Sequence, residues 1–208
     1  MNSPKLPLAQ SATPRLTLAS GSQARLAVLR AAGIAVAVQP SMVDEDAAKA
    51  DARHRRLAPG AAALMLAELK AREVRDQDAL VIGGDQILVC DEHWFDKPAD
   101  LTAAAAHLRR LRGRTHVLHT ALVVLRRGQI VWQHVATPRL HMRQFSDAFI
   151  AAYVAAEGEH LLSSVGAYRL EALGIQLFDV IEGEHAAILG LPLLALLDFL
   201  RHQNVLPT

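Results

Sequence analysis

The chain has 208 residues, 51% of them hydrophobic and 21% charged, with a formal net charge of +1. That composition excludes wholesale disorder and gives no global electrostatic pull toward nucleic acid or a membrane. Cys90 is the sole cysteine, which excludes an internal disulfide and a multi-cysteine metal site and fits a reducing compartment. Residues 1–14 hold three prolines and no apolar signal-peptide core, and read as a flexible leader. Residues 188–200 are too short an apolar stretch to span a membrane and contain Pro192. A cytoplasmic location is the expectation.

LTLA (16–19) reads as a short strand, and Ser20, Gly21 and Ser22 turn the chain into a helix that ends near Ala32 before Gly33. AVAVQ (35–39) is a second strand, and the polar residues 40–59 read as a loop. Gly60 to Arg75 is an Ala/Leu-rich helix. ALVI (79–82) is a buried strand, and ILVC (87–90) continues it or pairs with the next segment of chain.

Thr102 to Arg112 is a further helix closed by Gly113. Residues 115–125 and 130–142 form a hairpin around Arg126, Arg127, Gly128 and Gln129. Ser146 caps a helix ending near Gly158. GIQLFDVI (174–181) is a strand, Glu182-Gly183 a turn, and Pro192 opens the last helix. Early βα units and then a long hairpin predict an α/β fold with a mixed sheet flanked by helices.

Several residues suit chemistry on an anion. Asp85 comes after ALVIGG and is expected just past the carboxyl end of a strand, where open α/β sheets bind ligands. A carboxylate there binds a metal or takes a proton from water; a turn or cap aspartate is the alternative. Ser20-Gly21-Ser22 before a helix, with Arg25 one turn in, makes a phosphate site, against the alternative of a capping serine and a surface arginine. Lys70 lies on an apolar helix and Lys97 in FDKP, and surface lysines are the plainer reading of both. Asp44 and Glu45 offer metal oxygens or belong to a solvated loop. No P-loop or dinucleotide-binding glycine fingerprint occurs.

LTLASGSQAR (16–25), VDE (43–45), LAELKA (66–71), VIGGDQ (81–86), DKP (96–98), GRTH (113–116) and GLPL (190–193) occur in an order and spacing that resembles the Maf family of nucleotide pyrophosphatases, from about Arg15 to about Arg201. The resemblance implies one domain over 15–208, with a strongly twisted mixed sheet in two lobes around a central cleft, similar to inosine triphosphate pyrophosphatases. It implies metal-dependent hydrolysis of a nucleoside triphosphate to the monophosphate and pyrophosphate. Asp85 is the implied proton acceptor. Ser20 and Arg25 grip phosphate, Lys70 and Lys97 face the triphosphate, and Glu45 with Asp85 holds Mg²⁺ or Mn²⁺. A homodimer is also implied.

Three positions bear on the base. Gln86, after the aspartate, matches the branch of the family that prefers 7-methyl-GTP. Glu171, in GAYRLEALGIQLF, matches that branch's glutamate, and a carboxylate accepts two hydrogen bonds from a guanine edge that thymine does not offer. Ala24 matches neither branch, one carrying Arg there and the other Trp. Gln23, Leu26 and Ser163-Ser164 are further departures. A dTTP/UTP pyrophosphatase and a catalytically weak nucleotide-binding regulator of cell division therefore stay open as alternatives.

Ten histidines invite a metal reading, but His116 and His119 lie three apart on a strand and face opposite sides. The basic clusters RHRR (53–56) and RRLRGR (109–114) read as solvated faces. Neither nucleic acid nor a membrane is the expected partner.

Overall fold

The computed structural model describes residues 10–76 and 78–208. The expected leader falls mostly outside them, in residues 1–9. From Gln10 onward the chain is tied down: the Gln10 amide exchanges hydrogen bonds with the backbone of Ala35 at 3.0 and 2.8 Å, and the Ser11 N–H donates to the Val205 carbonyl at 2.8 Å.

The chain divides into two compact units. The first takes the residues up to Asp85, then Ala121–Val135 and Gly190–Thr208. Its strands β1 (Leu16–Leu18) and β2 (Ala37–Val38) run parallel to each other, and β1 runs parallel to the start of β3 (Leu80–Cys90), with Leu16 opposite Leu80 and Leu18 opposite Ile82. Helix α1 (Gln23–Ala31) starts at Ser22, whose hydroxyl accepts the Arg25 N–H at 3.3 Å. Helix α3 (Pro59–Glu73) starts with proline, where no donor is needed. Leu18, Leu29, Leu80, Ile82, Leu122, Leu191, Leu196 and Leu200 form the core.

The second unit holds Gln86–Thr120 and Ala136–Leu189. Its elements are the rest of β3, β4 (His93–Phe95), α4 (Leu101–Leu111), the start of β5 (Thr115–Arg126), β7 (Arg139–Met142), α5 (Asp147–Glu157), β8 (Phe178–Glu182) and α6 (His185–Ile188). Leu88, Phe95, Leu108, Leu111, Leu118, Leu140, Ile150 and Leu161 lead its core. His116 is buried among the rings of Tyr168 and Phe178, with Nε2 2.9 Å from the Tyr168 hydroxyl. Burial pushes its imidazole down to about 3. His119, three residues on, is half-buried.

The end of β5 turns at Arg127 and Gly128, both at positive φ (50° and 73°), into β6 (Gln129–Ala136). Helix α7 (Leu193–His202) closes the chain. Among the described residues eight strands make one mixed sheet in the order β2-β1-β3-β5-β7-β8, with β4 beside β3 and β6 beside β5, and seven α-helices flank it. No described helix is long and apolar enough to cross a membrane.

Four expectations need correction. Residues 40–59 are not a loop throughout: α2 (Glu45–His54) lies within them. Its signals are an N-cap, Asp44, accepting the Ala47 N–H at 2.9 Å, acidic residues in the first turn and basic ones in the last. Polar residues on most positions hid the helical period. Asp85 does not lie past the end of its strand, because β3 runs unbroken for 11 residues through Gly83, Gly84 and Asp85. Only its parallel pairing stops, at Ile82, while antiparallel pairing with β4 begins at Leu88. The run 130–142 splits at Pro138, which has no N–H for a ladder. The first half of 174–181 is a 3₁₀ turn, Leu173–Leu177, in which Gly174 packs so closely that a Cβ would lie 2.4 Å from the Arg169 carbonyl oxygen; β8 starts only at Phe178.

This packing has two measurable consequences. A Cβ at Gly83 would lie 2.0 Å from the Ala67 carbonyl oxygen and 2.9 Å from the Ala71 Cβ. Gly83→Ala therefore pushes α3 off β3, and thermal melting should show Tm lowered by about 5–10 °C, the scale of an overpacked core. His116 is held neutral when folded but protonates near pH 6.5 when unfolded. Its contribution is full above that pH and is lost as pH falls toward 3, with a slope of at most about 1.4 kcal/mol per pH unit. Urea unfolding between pH 7 and 4.5 should show His116→Gln, which keeps a partner for Tyr168 and cannot titrate, losing stability less steeply than the parent.

Candidate active site

The alternation of β3 builds the site. Side chains at 83 and 85 share one face, and those at 82 and 84 the other. Gly83 lies against Ala67 and Ala71 of α3, so Asp85, two residues on, meets the same helix. Lys70 lies between those alanines in sequence, on the helix face turned to the strand. Its ammonium reaches Asp85 Oδ1 at 2.6 Å. The same ammonium lies 2.8 Å from Glu45 Oε1, at the first turn of α2. Lys70 is thus no surface lysine: it is 7% exposed, and Asp85 3%.

The second oxygen, Asp85 Oδ2, is buried and accepts no hydrogen bond from any described residue. A buried carboxylate oxygen left without a donor is costly, and such an atom asks for a partner. Lys70 fixes one oxygen and leaves the other without a donor among the described residues.

On the opposite face, Gly84 makes room for Arg25. A Cβ at Gly84 would lie 3.2 Å from the Arg25 Nε and 3.4 Å from its Cζ. One at Gly190, where φ is +95°, would lie 3.2 Å from Nε and 3.4 Å from Nη2. Between these glycines the guanidinium donates from Nε to the Gly190 carbonyl at 2.7 Å and from Nη1 to Ser20 Oγ at 3.0 Å. Burial lowers the Arg25 pKa, and the carboxylates of Asp85 and Glu45 act to raise it. Ser20 Oγ also accepts the Ser22 N–H at 3.2 Å, which leaves its hydroxyl proton to donate.

Ser20, Arg25, Glu45, Lys70 and Asp85 therefore belong to one compact unit and to one network of charge. Asp44, the other carboxylate of VDE, is occupied as a helix cap. Ala24 is half-buried near the start of α1.

The remaining expected residues belong to the second unit. The Gln86 amide nitrogen donates to Thr120 Oγ1 at 2.7 Å and to the carbonyls of Ala187 and Ile188 at 3.2 and 3.1 Å. Lys97 is exposed just beyond β4, before the buried Pro98. Glu171 is exposed and pairs through Oε1 with Arg169 Nε at 3.3 Å.

Three features of the structure escaped the sequence reading. The Gly190 carbonyl that anchors Arg25 is a backbone atom 165 residues away. Lys49 is buried one helical turn beyond Glu45, a spacing invisible while 40–59 read as a loop. Glu157, buried at the end of α5, accepts Arg169 Nη1 at 3.0 Å.

Asp85 and Glu45 fit a hard divalent cation of the kind that takes one or two protein carboxylates and completes its shell from substrate and water. The convergence of the two carboxylates on the Lys70 ammonium, at 2.6 and 2.8 Å, is the observation behind that fit. Among the described residues no group of three or more His, Cys, Asp or Glu is gathered as for a cage metal.

The model of one family, described as Maf-like protein, matches residues 15–203. A protein from Granulibacter bethesdensis named nucleoside triphosphate pyrophosphatase is 50% identical over 194 residues, covering 92% of this chain and 98% of that one. Its namesake from Hyphomonas neptunium is 51% identical over 195 residues, covering 93% and 98%. A protein from Rhizobium meliloti named 7-methyl-GTP pyrophosphatase is 46% identical over 190 residues, covering 90% and 96%. A match running through both units, with likeness at this level along almost the full length, shows that the chain belongs to the Maf family.

Proposed function

We propose that the chain is a nucleoside triphosphate pyrophosphatase, with residues 15–208 acting as a single domain. Water adds to a phosphorus of the triphosphate, the anhydride bond between the α- and β-phosphates breaks, and the nucleoside monophosphate and pyrophosphate leave. Asp85 accepts the proton of the attacking water at Oδ2. The observation that carries this reading is the asymmetry of that carboxylate: Lys70 holds Oδ1 at 2.6 Å, while the buried Oδ2 has no donor among the described residues. The relatives named for this activity support it.

Charge completes the argument. Lys70 and Arg25 are balanced by Asp85 and Glu45, so these four groups add no net positive charge for a triphosphate. Phosphoryl transfer depends on neutralising that charge and positioning the reactants. A divalent cation, Mg²⁺ or Mn²⁺, supplies neutralisation and lowers the pKa of water when bound, and Asp85 and Glu45 are the residues that would hold it. Ser20 and Arg25 bind phosphate, and Lys97 adds a cation. Glu171 accepts hydrogen bonds from a guanine-type base, and 7-methyl-GTP is the substrate this favours. The Rhizobium meliloti relative bears that name.

Pyrophosphate release from 7-methyl-GTP, GTP, dTTP and UTP with Mg²⁺ or Mn²⁺ tests the reading. Asp85→Asn should lower kcat by about 10²–10⁴-fold, the scale of a lost general base, in a protein that still melts cooperatively. Full activity in that variant removes Asp85 from the mechanism. Binding without release for every triphosphate would favour a regulator. Gly84→Ala should crowd the Arg25 guanidinium. Misplacing a phosphate-binding group by a few tenths of an ångström should raise KM roughly tenfold, read in the same assay.

A further inference from the structure

Glu171 sits in the segment between Gly166 and Leu177, most of which lacks regular secondary structure. Such a segment holds its shape only through bonds to the body beneath it. Here those bonds converge on one side chain. Glu157, at the last position of α5, is 5% exposed. Its Oε1 accepts the Leu173 N–H at 3.0 Å, two residues after Glu171. Its Oε2 accepts Arg169 Nη1 at 3.0 Å, two residues before Glu171. One buried carboxylate thus grips the segment on both sides of Glu171.

Arg169 carries the grip to the side chain. The guanidinium meets Glu157 at Nη1 and Glu171 Oε1 at Nε, 3.3 Å away. A planar fork joins two carboxylates in a fixed relation that an ammonium does not reproduce. The Arg169 backbone is seated as well: its N–H donates to the Tyr153 hydroxyl at 3.3 Å, and Gly174 packs so closely that a Cβ there would lie 2.4 Å from the Arg169 carbonyl oxygen. The preceding residue's carbonyl accepts the Ser164 hydroxyl at 2.6 Å. Glu171 keeps its second oxygen and spare lone pairs on the first for a ligand.

We infer that Glu157 and Arg169 are positioning residues for base selection: the buried Glu157 carboxylate, through the Arg169 fork and the Leu173 amide, sets the place of Glu171. This rests on the reading that Glu171 meets the base. Telling one base from another by hydrogen bonds requires acceptors placed to within about half an ångström, and neither the loop nor an exposed glutamate supplies that by itself.

The experiment compares wild type, Glu157→Gln, Arg169→Lys, Glu171→Gln and the Glu157→Gln/Glu171→Gln double variant. Each is assayed for kcat/KM on 7-methyl-GTP, GTP and UTP, with melting curves recorded alongside. The readout is the ratio of kcat/KM between a guanine-type triphosphate and UTP, which a loss of folded protein scales equally and leaves unmoved. Glu157→Gln and Arg169→Lys should each lower that ratio roughly tenfold, mostly through KM for the guanine substrate, and the double variant should fall no further than Glu171→Gln alone. Should Glu157→Gln fail to fold, Arg169→Lys, which keeps the charge on a partly exposed side chain, decides the matter. A ratio within twofold of wild type in Arg169→Lys, or additive losses in the double variant, overturns the inference while Glu171 keeps its own role. An unchanged ratio in Glu171→Gln overturns the base-contact reading and this inference with it.

Discussion

An ammonium group with almost no access to water lies 2.6 Å from one carboxylate and 2.8 Å from another. Taking Lys70 and Asp85 out of water costs several kcal/mol per ion, and their attraction offsets it only where the geometry is good. The arrangement is a poor way to add stability and a good way to fix a carboxylate. It holds one oxygen of Asp85 and leaves the other open. It also ties together three separate stretches of chain: the first turn of α2, the body of α3 and the middle of β3. Removing the lysine would leave a buried charge unpaired, so the triad resists drift as a unit.

The two glycines before Asp85 serve this interaction from different sides. Gly83 lets α3 approach β3 until a side chain would strike the Ala67 carbonyl, and that approach brings Lys70 within reach of Asp85. Gly84 leaves the opposite face open for the Arg25 guanidinium, which Gly190 bounds from another segment. Both glycines lie inside a continuous strand, where glycine weakens the ladder and a close approach of other atoms is the usual reason for it. The run GGD is therefore a packing device for two charged side chains as well as a stretch of backbone.

Much of this was legible in the sequence because each signal has a local cause. Ser22 before α1, Ser146 before α5 and the apolar run at 79–82 acted within a few residues of where they stand. Ser20, Arg25, Glu45, Lys70 and Asp85 were legible as candidates through their order along the chain. What they touch was not. The Arg25–Gly190 bond spans 165 residues and ends on a carbonyl, which no residue type announces. Helix α2 was missed because it is mostly solvated, so its apolar stripe is reduced to little more than Ala52, and its signature lies in caps and end charges instead. ILVC (87–90) does continue the strand, but the place of Asp85 was misjudged because two glycines read as a strand's end whenever the helix that needs their bareness is out of view.

The two units solve the problem of holding an acid in place by different means. In the first, Asp85 and Lys70 are both buried, and the cost of their desolvation enforces the pairing. In the second, the carboxylate that would meet a base must stay exposed, and an exposed pair such as Arg169–Glu171 is worth little alone. Its definition has to come from a buried group, and Glu157, with one oxygen on a backbone amide and the other on the shared guanidinium, supplies it. Under the proposed roles, a chain that fixes its proton acceptor by burial and its base contact by a buried brace can vary the exposed loop without disturbing the Lys70–Asp85 pair.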